Sequence, residues 1–189
     1  MTGGTVTVGR SGLDAAANGV AAVNLVGRFV VIDGKVTAVD SINVQAGPQG
    51  WDATRNRSTG ALSPSAGGTT RDFGVDATAF GGMEAGRITI VGNETGFGVR
   101  SSGALSADTG GISVTAKDDV TVRSAAASGA VAFSSSEKTA TIERDVSSSA
   151  DKVTVPEVHI SGSPTARRHK PALIPSSSTR ATICWPTIF

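Results

Sequence analysis

The sequence predicts an all-β solenoid, and three observations carry that expectation. Apolar residues alternate with Ser and Thr at a period of two in many short runs, and no helical stripe competes with them. Glycine is abundant at 24 residues while aromatics are only 4% of the chain and Tyr is absent. That composition lacks the large side chains that usually fill a compact central core, but it suits short strands, small side chains and glycine turns. The runs also recur at coil spacing: Ile88, Ile112 and Val131 open similar units, 24 and then 19 residues apart.

In chain order, Thr5-Val6-Thr7-Val8 is the first alternating run. Val30-Val31-Ile32, a turn at Asp33-Gly34, Val36-Thr37-Ala38-Val39 and Ile42-Asn43-Val44 repeat the same grammar. Ile88-Thr89-Ile90, Ile112-Ser113-Val114, Val120-Thr121-Val122, Val131-Ala132-Phe133 and Val153-Thr154-Val155 continue it. Within 112–130, Lys117-Asp118-Asp119 reads as a turn and the small residues from Ser124 to Gly129 read as a return. A single coil cannot bury its own apolar face, so stacking is required. About six coils at roughly 4.8 Å each would make a rod on the order of 30 Å long.

Two regions depart from this grammar. Residues 47–72 contain Gly47-Pro48-Gln49-Gly50-Trp51 and Ser63-Pro64-Ser65-Ala66-Gly67-Gly68, and are expected to form an excursion from the solenoid wall. Residues 160–189 hold Pro164, Pro171, Pro175 and Pro186, the cluster Arg167-Arg168-His169-Lys170, and the only cysteine, Cys184. The organisation read from the sequence is therefore a β-helix segment over 1–159 and a disordered basic tail over 160–189.

Net charge is +1, but the tail carries four basic residues and no acid, which leaves residues 1–159 at −3. A mildly acidic body argues against a nucleic-acid partner. One cysteine permits no internal disulfide. No stretch approaches the roughly 18–20 apolar residues of a membrane helix. The opening Met1-Thr2-Gly3-Gly4 carries no basic region followed by an apolar run, so no signal peptide is read. The chain is then either retained in the cytoplasm or short of its natural N-terminus.

Several segments resemble filamentous haemagglutinin-like exoproteins, the family that includes contact-dependent growth inhibition exoproteins. Gly4-Thr5-Val6-Thr7-Val8-Gly9-Arg10-Ser11-Gly12-Leu13-Asp14 resembles one of their coils, as does Ile42-Asn43-Val44-Gln45-Ala46-Gly47 followed by Trp51-Asp52. The most specific match runs from Val75 to Gly103 and contains Gly81-Gly82-Met83, the strand Arg87-Ile88-Thr89-Ile90-Val91-Gly92, and the Gly-rich turn leading to Gly98-Val99. Weaker similarity covers roughly 4–145. The resemblance implies a right-handed parallel β-helix, export through an outer-membrane two-partner secretion transporter to the medium or cell surface, and a role in adhesion or growth inhibition. It implies a host or neighbouring-cell receptor or glycan as partner. The Asn-Pro-Asn motifs of that family's secretion domain are absent, so the resemblance points to an interior fragment just after it, without a C-terminal toxin. Residues 160–189 do not resemble the family and read as out-of-frame sequence.

Candidate sites are few. Gly96-Phe97-Gly98 evokes a dinucleotide loop, but the third glycine position is Ser101 and no helix follows, so a solenoid turn is expected. Asp118-Asp119 lacks a repeated register of acids on neighbouring coils and reads as a turn-capping pair. His159, His169 and Cys184 have no metal-ligand spacing. No catalytic residue, metal or cofactor is expected. Trp51, with Arg55 and Arg57 nearby, is the one possible interaction loop, able to meet a glycan or a protein or to cover the side of the coils.

The leading reading is an adhesin shaft without enzymatic activity. The others are a growth-inhibition shaft lacking its toxin, a β-helix carbohydrate-active enzyme, and a truncated remnant with no activity of its own. Open coil ends also predict end-to-end self-association.

Overall fold

The computed structural model describes residues 3–52, 54–55, 57–62, 72–150, 153–154 and 158–160. It is a parallel β-solenoid. The first coil contains β1 (Thr5–Val8), β2 (Leu13–Asp14) and β3 (Ala22–Gly27), with a 3-10 turn at Ala16–Asn18. The second contains β4 (Phe29–Ile32), β5 (Val36–Thr37) and β6 (Ser41–Ala46). The chain then forms β7 (Gln49–Asp52) and β8 (Arg57–Ala61), an antiparallel pair separate from the coils. The third coil is β9 (Phe73–Ala77), β10 (Met83–Ala85) and β11 (Arg87–Gly92). The fourth is β12 (Gly98–Ala107) and β13 (Ile112–Ala116), and the fifth is β14 (Val120–Ala127) and β15 (Val131–Ser135). The sixth is β16 (Ala140–Ile142), β17 (Val146–Ser148) and β18 (Val153–Thr154), after which β19 (Val158–Ile160) pairs with β16.

Three faces result. On the first, Val6, Val30, Val75, Val99, Val120 and Ala140 pair in one unbroken column. On the second, Leu13, Val36, Met83, Leu105, Ala125 and Val146 do the same. On the third, Val23, Ile42, Ile88, Ile112, Val131 and Val153 stack, beside Leu25, Val44, Ile90, Val114 and Phe133. Most of these side chains are fully buried and form one core cluster. Each parallel pair sends its backbone hydrogen bonds along the rod axis, so the same ladder that satisfies the peptide groups also fixes the apolar columns. Each buried Val, Ile or Leu contributes about 1.5–3 kcal/mol through removal of apolar surface from water. The Ile88, Ile112 and Val131 spacing in the sequence is the register of the third face.

One expectation fails. The small residues after Ser124 are not a return loop: β14 runs through to Ala127, and only the segment from Ser128 turns. Alanines at 125 and 127 fill the narrow interior of the second face, where they stack on Leu105 and Ala107 of β12. β12 and β14 are therefore long strands that bend from the first face to the second, with a register shift between Ser101 and Ala104. Small size was read as turn chemistry when it reports limited space inside the coil. The expected tail lies outside the described residues from 161 onward, and β19 ends at Ile160.

Candidate functional site

The corner joining the third face to the next coil gathers most of the polar chemistry. Its members are Arg28 between β3 and β4, the segment 47–72 between β6 and β9, Asn93–Phe97 between β11 and β12, Lys117–Asp119 between β13 and β14, and Ser136–Thr139 between β15 and β16. The chain leaves the solenoid at Gly47, whose N–H donates to the carbonyls of Gly27 and Arg28 at 3.1 and 3.0 Å. From above, Asn93 N–H donates to Ala46 O at 3.0 Å. The hairpin of β7 and β8 thus emerges between two corners that close around its base.

Those corners are clasped by a residue pair that sequence reading missed. Arg28 Nη2 and Nε donate to the two carboxylate oxygens of Glu94 at 2.7 and 3.1 Å. The Arg28 guanidinium lies 5.2 Å from the centre of the Phe29 ring and 6.0 Å from that of Phe97. The two rings meet edge to face at 5.2 Å. The Glu94 hydrogen bonds hold the guanidinium pKa above its ordinary value. Nothing local marks this pair, because its partners lie 66 residues apart in sequence.

Higher on the same edge, Asp118 and Asp119 cap turns. Asp118 accepts from Asp119 N–H at 2.8 Å and from Gly96 N–H at 3.1 Å, and its carboxylate lies 3.3 Å from Lys138 Nζ. The Asp119 amide first, then Lys138 and Gly96, hold its carboxyl below the usual range. Asp119 Oδ1 accepts from Thr139 N–H and Oγ1–H at 3.2 and 3.0 Å. These carboxylates are engaged by turn donors, an arrangement that stitches successive corners. Among the described residues, no three of His, Cys, Asp and Glu gather to hold a metal ion, and no helix is long and apolar enough to cross a membrane.

Of the expected interaction loop, Trp51 lies in β7 opposite Ser58, and Arg57 lies in β8 opposite Asp52. Arg55 is turned into its own hairpin. Its Nη1 donates to Asp52 Oδ2 at 2.8 Å, while Asp52 Oδ1 accepts from the backbone of Thr54 and Arg55. The Arg55 side chain first, then these backbone donors, lower the Asp52 pKa. The Gly81, Gly82 and Met83 block makes a corner: Met83 enters the core, and Gly81 packs so closely that a Cβ would run into the carbonyl of Ile32. Gly92 ends β11 and Gly98 begins β12. His159 lies in β19 opposite Thr141, while His169 and Cys184 lie outside the described residues.

On the first face, Arg100 makes two bonds to Asp76 of the coil below, at 2.9 and 2.8 Å, with its guanidinium 4.4 Å from the Phe73 ring centre. This is an outward brace between rungs.

No family model matches the chain. It is 33% identical over 108 residues to the filamentous hemagglutinin of Bordetella pertussis, covering 54% of this chain and 3% of that protein. It is 34% identical over 140 residues to the 16S rRNA endonuclease CdiA of Enterobacter cloacae, covering 74% of this chain and 4% of that protein. Its fold resembles a solved filamentous hemagglutinin secretion domain with a TM-score of 0.69 and 25% identity, over 87% of this chain and 52% of that one. The chain therefore spans a few hundredths of the length of these relatives, and what it shares with the solved domain is the stack of parallel coils.

Proposed function

We propose that this chain is a length of shaft from a haemagglutinin-like exoprotein, exported by two-partner secretion and acting as a stiff spacer and interaction surface. The observation that carries this reading is the stacking of six parallel coils among the described residues, in a sequence similar to filamentous hemagglutinin and to CdiA proteins. A parallel solenoid is stiff because each coil is tied to its neighbours by axial hydrogen bonds and an apolar column on all three faces. Such a rod holds attached regions at a fixed distance from a surface. The shaft role serves an adhesin and a growth-inhibition exoprotein equally. Engagement of Asp118, Asp119 and Asp52 by turn donors supports a structural role for these three carboxylates, since a general acid or base needs a carboxylate free to meet substrate.

Inserting the chain behind the secretion domain of the Bordetella pertussis protein, together with its outer-membrane transporter, tests the reading. The fused coils should appear outside the cell. Retention of the fusion, while the secretion domain alone is exported, would overturn it. Purified chain should leave 16S rRNA, tRNA and acidic polysaccharides uncut, and turnover of any of them would overturn the non-enzymatic role.

A further inference from the structure

The edge of coil one that faces away from coil two is built like the edges that pair inside the stack. Among the described residues, β1 pairs only with β4, β2 only with β5 and β3 only with β6. Phe29 N–H donates to Gly4 O at 3.2 Å and Asp33 N–H to Val8 O at 2.8 Å, so Val8, and by alternation Val6, turn their peptide groups to coil two. The residues between them point the other way in a parallel strand, which places the N–H and C=O of Thr5 and Thr7 on the open edge. The same end carries apolar surface. Leu13 is 40% exposed, whereas Val36 and Met83, the next members of its column, are buried. Asn24 Oδ1 accepts from Asn43 Nδ2 at 3.0 Å, and Asn24 keeps its own Nδ2 donors for a further rung.

Coil six has the matching edge. Val120 N–H donates to Thr139 O at 2.9 Å and Glu143 N–H to Val122 O at 3.0 Å, so the peptide groups of Ala140 and Ile142 face away from coil five. β19 uses that edge. Its register sets Val158 on Ala140, His159 on Thr141 and Ile160 on Ile142, which makes His159 the residue whose peptide group bonds to β16. Among the described residues, β17 pairs only with β14 and β18 only with β15.

The two ends share one pattern. Val6 begins the first-face column in which Ala140 lies, Leu13 begins the second-face column that Val146 ends, and Val23 and Val153 bound the third. Asn24 begins the outward row that Thr154 ends.

We propose that coil one docks on coil six of a second copy of this chain, head to tail. β1 of the incoming copy replaces β19 on β16, with Val6 on Ala140, Thr7 on Thr141 and Val8 on Ile142. Leu13 closes on Val146, Val23 on Val153, and Asn24 donates to the Thr154 hydroxyl. The contact repeats the coil-to-coil contact of the stack across two chains, so it pairs open peptide groups and buries apolar ends together. Its two surfaces differ, so it is heterologous and successive copies extend an open filament. β19 limits its strength, because a strand of the same chain competes for β16 at high effective concentration. The end-to-end association expected from open coils thereby acquires a register and a competitor, and it is independent of whether the chain is exported.

The test is sedimentation of the full chain over a range of concentrations. The mass of the parent should rise with concentration. Thr7→Pro removes an N–H from the open edge and none from the ladder to β4, a change that edge strands accept, and should weaken association about tenfold. Leu13→Lys, at a side chain already in contact with solvent, should weaken it as well. His159→Pro removes the donor by which β19 holds β16 and should strengthen association about tenfold, a gain that adding Thr7→Pro cancels. Circular dichroism should show the same strand content in all of them. Three outcomes would overturn the proposal: a monomer at every concentration in both the parent and His159→Pro, association unchanged by both Thr7→Pro and Leu13→Lys, or weaker association in His159→Pro than in the parent.

Discussion

Arg28 reaches past the point where the chain leaves the solenoid to hold Glu94 by two hydrogen bonds, at 2.7 and 3.1 Å, with both side chains about nine-tenths buried. The pair closes the gap that an inserted hairpin would otherwise open between the second and third coils. Removing Arg28 leaves the Glu94 carboxylate buried without the cation that holds it, which is worse than removing both. Arg28→Met should therefore lower the melting temperature more than the double change Arg28→Met with Glu94→Leu. Thermal denaturation of the two variants and the parent checks the order.

Ile90 is fully buried between Val44 and Val114 on the third face. Ile90→Ala should destabilise by about 2–5 kcal/mol, through lost burial and the cavity left behind. Urea denaturation should show a lower midpoint with an unchanged slope.

Gly81 and Gly9 should behave oppositely. Gly81→Ala drives a methyl into Ile32 O and should destabilise the corner, whereas a Cβ at Gly9 meets nothing within 4 Å. Gly9→Ala should be neutral or stabilising by about 0.4–1 kcal/mol, because it restricts the unfolded chain. Melting temperatures of the two variants separate the cases.

Acid should loosen the third-face corner. The Asp118 pKa is lowered in the folded state by the Asp119 amide, Lys138 and the Gly96 amide. The unfolded chain therefore takes up the proton first, and the resulting stability is present above the unfolded value of about 3.9 and lost as pH falls through the lower folded one. Asp118→Asn should reduce stability at neutral pH and flatten the fall below about pH 4. Stability measured from pH 7 down to pH 2 in both proteins checks the sign.

The segment 47–72 should be dispensable for the coils. The second and third coils pair directly through β4 with β9, β5 with β10 and β6 with β11. Replacing 48–71 by a connection as short as Asn93–Phe97 should leave the melting temperature nearly unchanged. Loss of the cooperative transition would show that the excursion is part of the stack.

The coil architecture was legible in the sequence because a parallel stack writes itself into it. Side chains alternate at a period of two, and the coil must return to the same register, so the spacing of Ile88, Ile112 and Val131 carries their alignment. The block around Gly81-Gly82-Met83 stood out only through its resemblance to haemagglutinin-like coils, and the packing of Gly81 against the carbonyl of Ile32, where a Cβ has no room, belongs to the structure. Other features belong to the tertiary structure alone. Ala125 and Ala127 read as turn residues, but in the stack they are buried strand residues packed on Leu105 and Ala107. The Arg28 and Glu94 pair joins residues from different coils. Periodicity fixes which residues face inward along one strand, but which outward side chains become neighbours depends on the length of every turn between them. That length is set by how the whole stack closes.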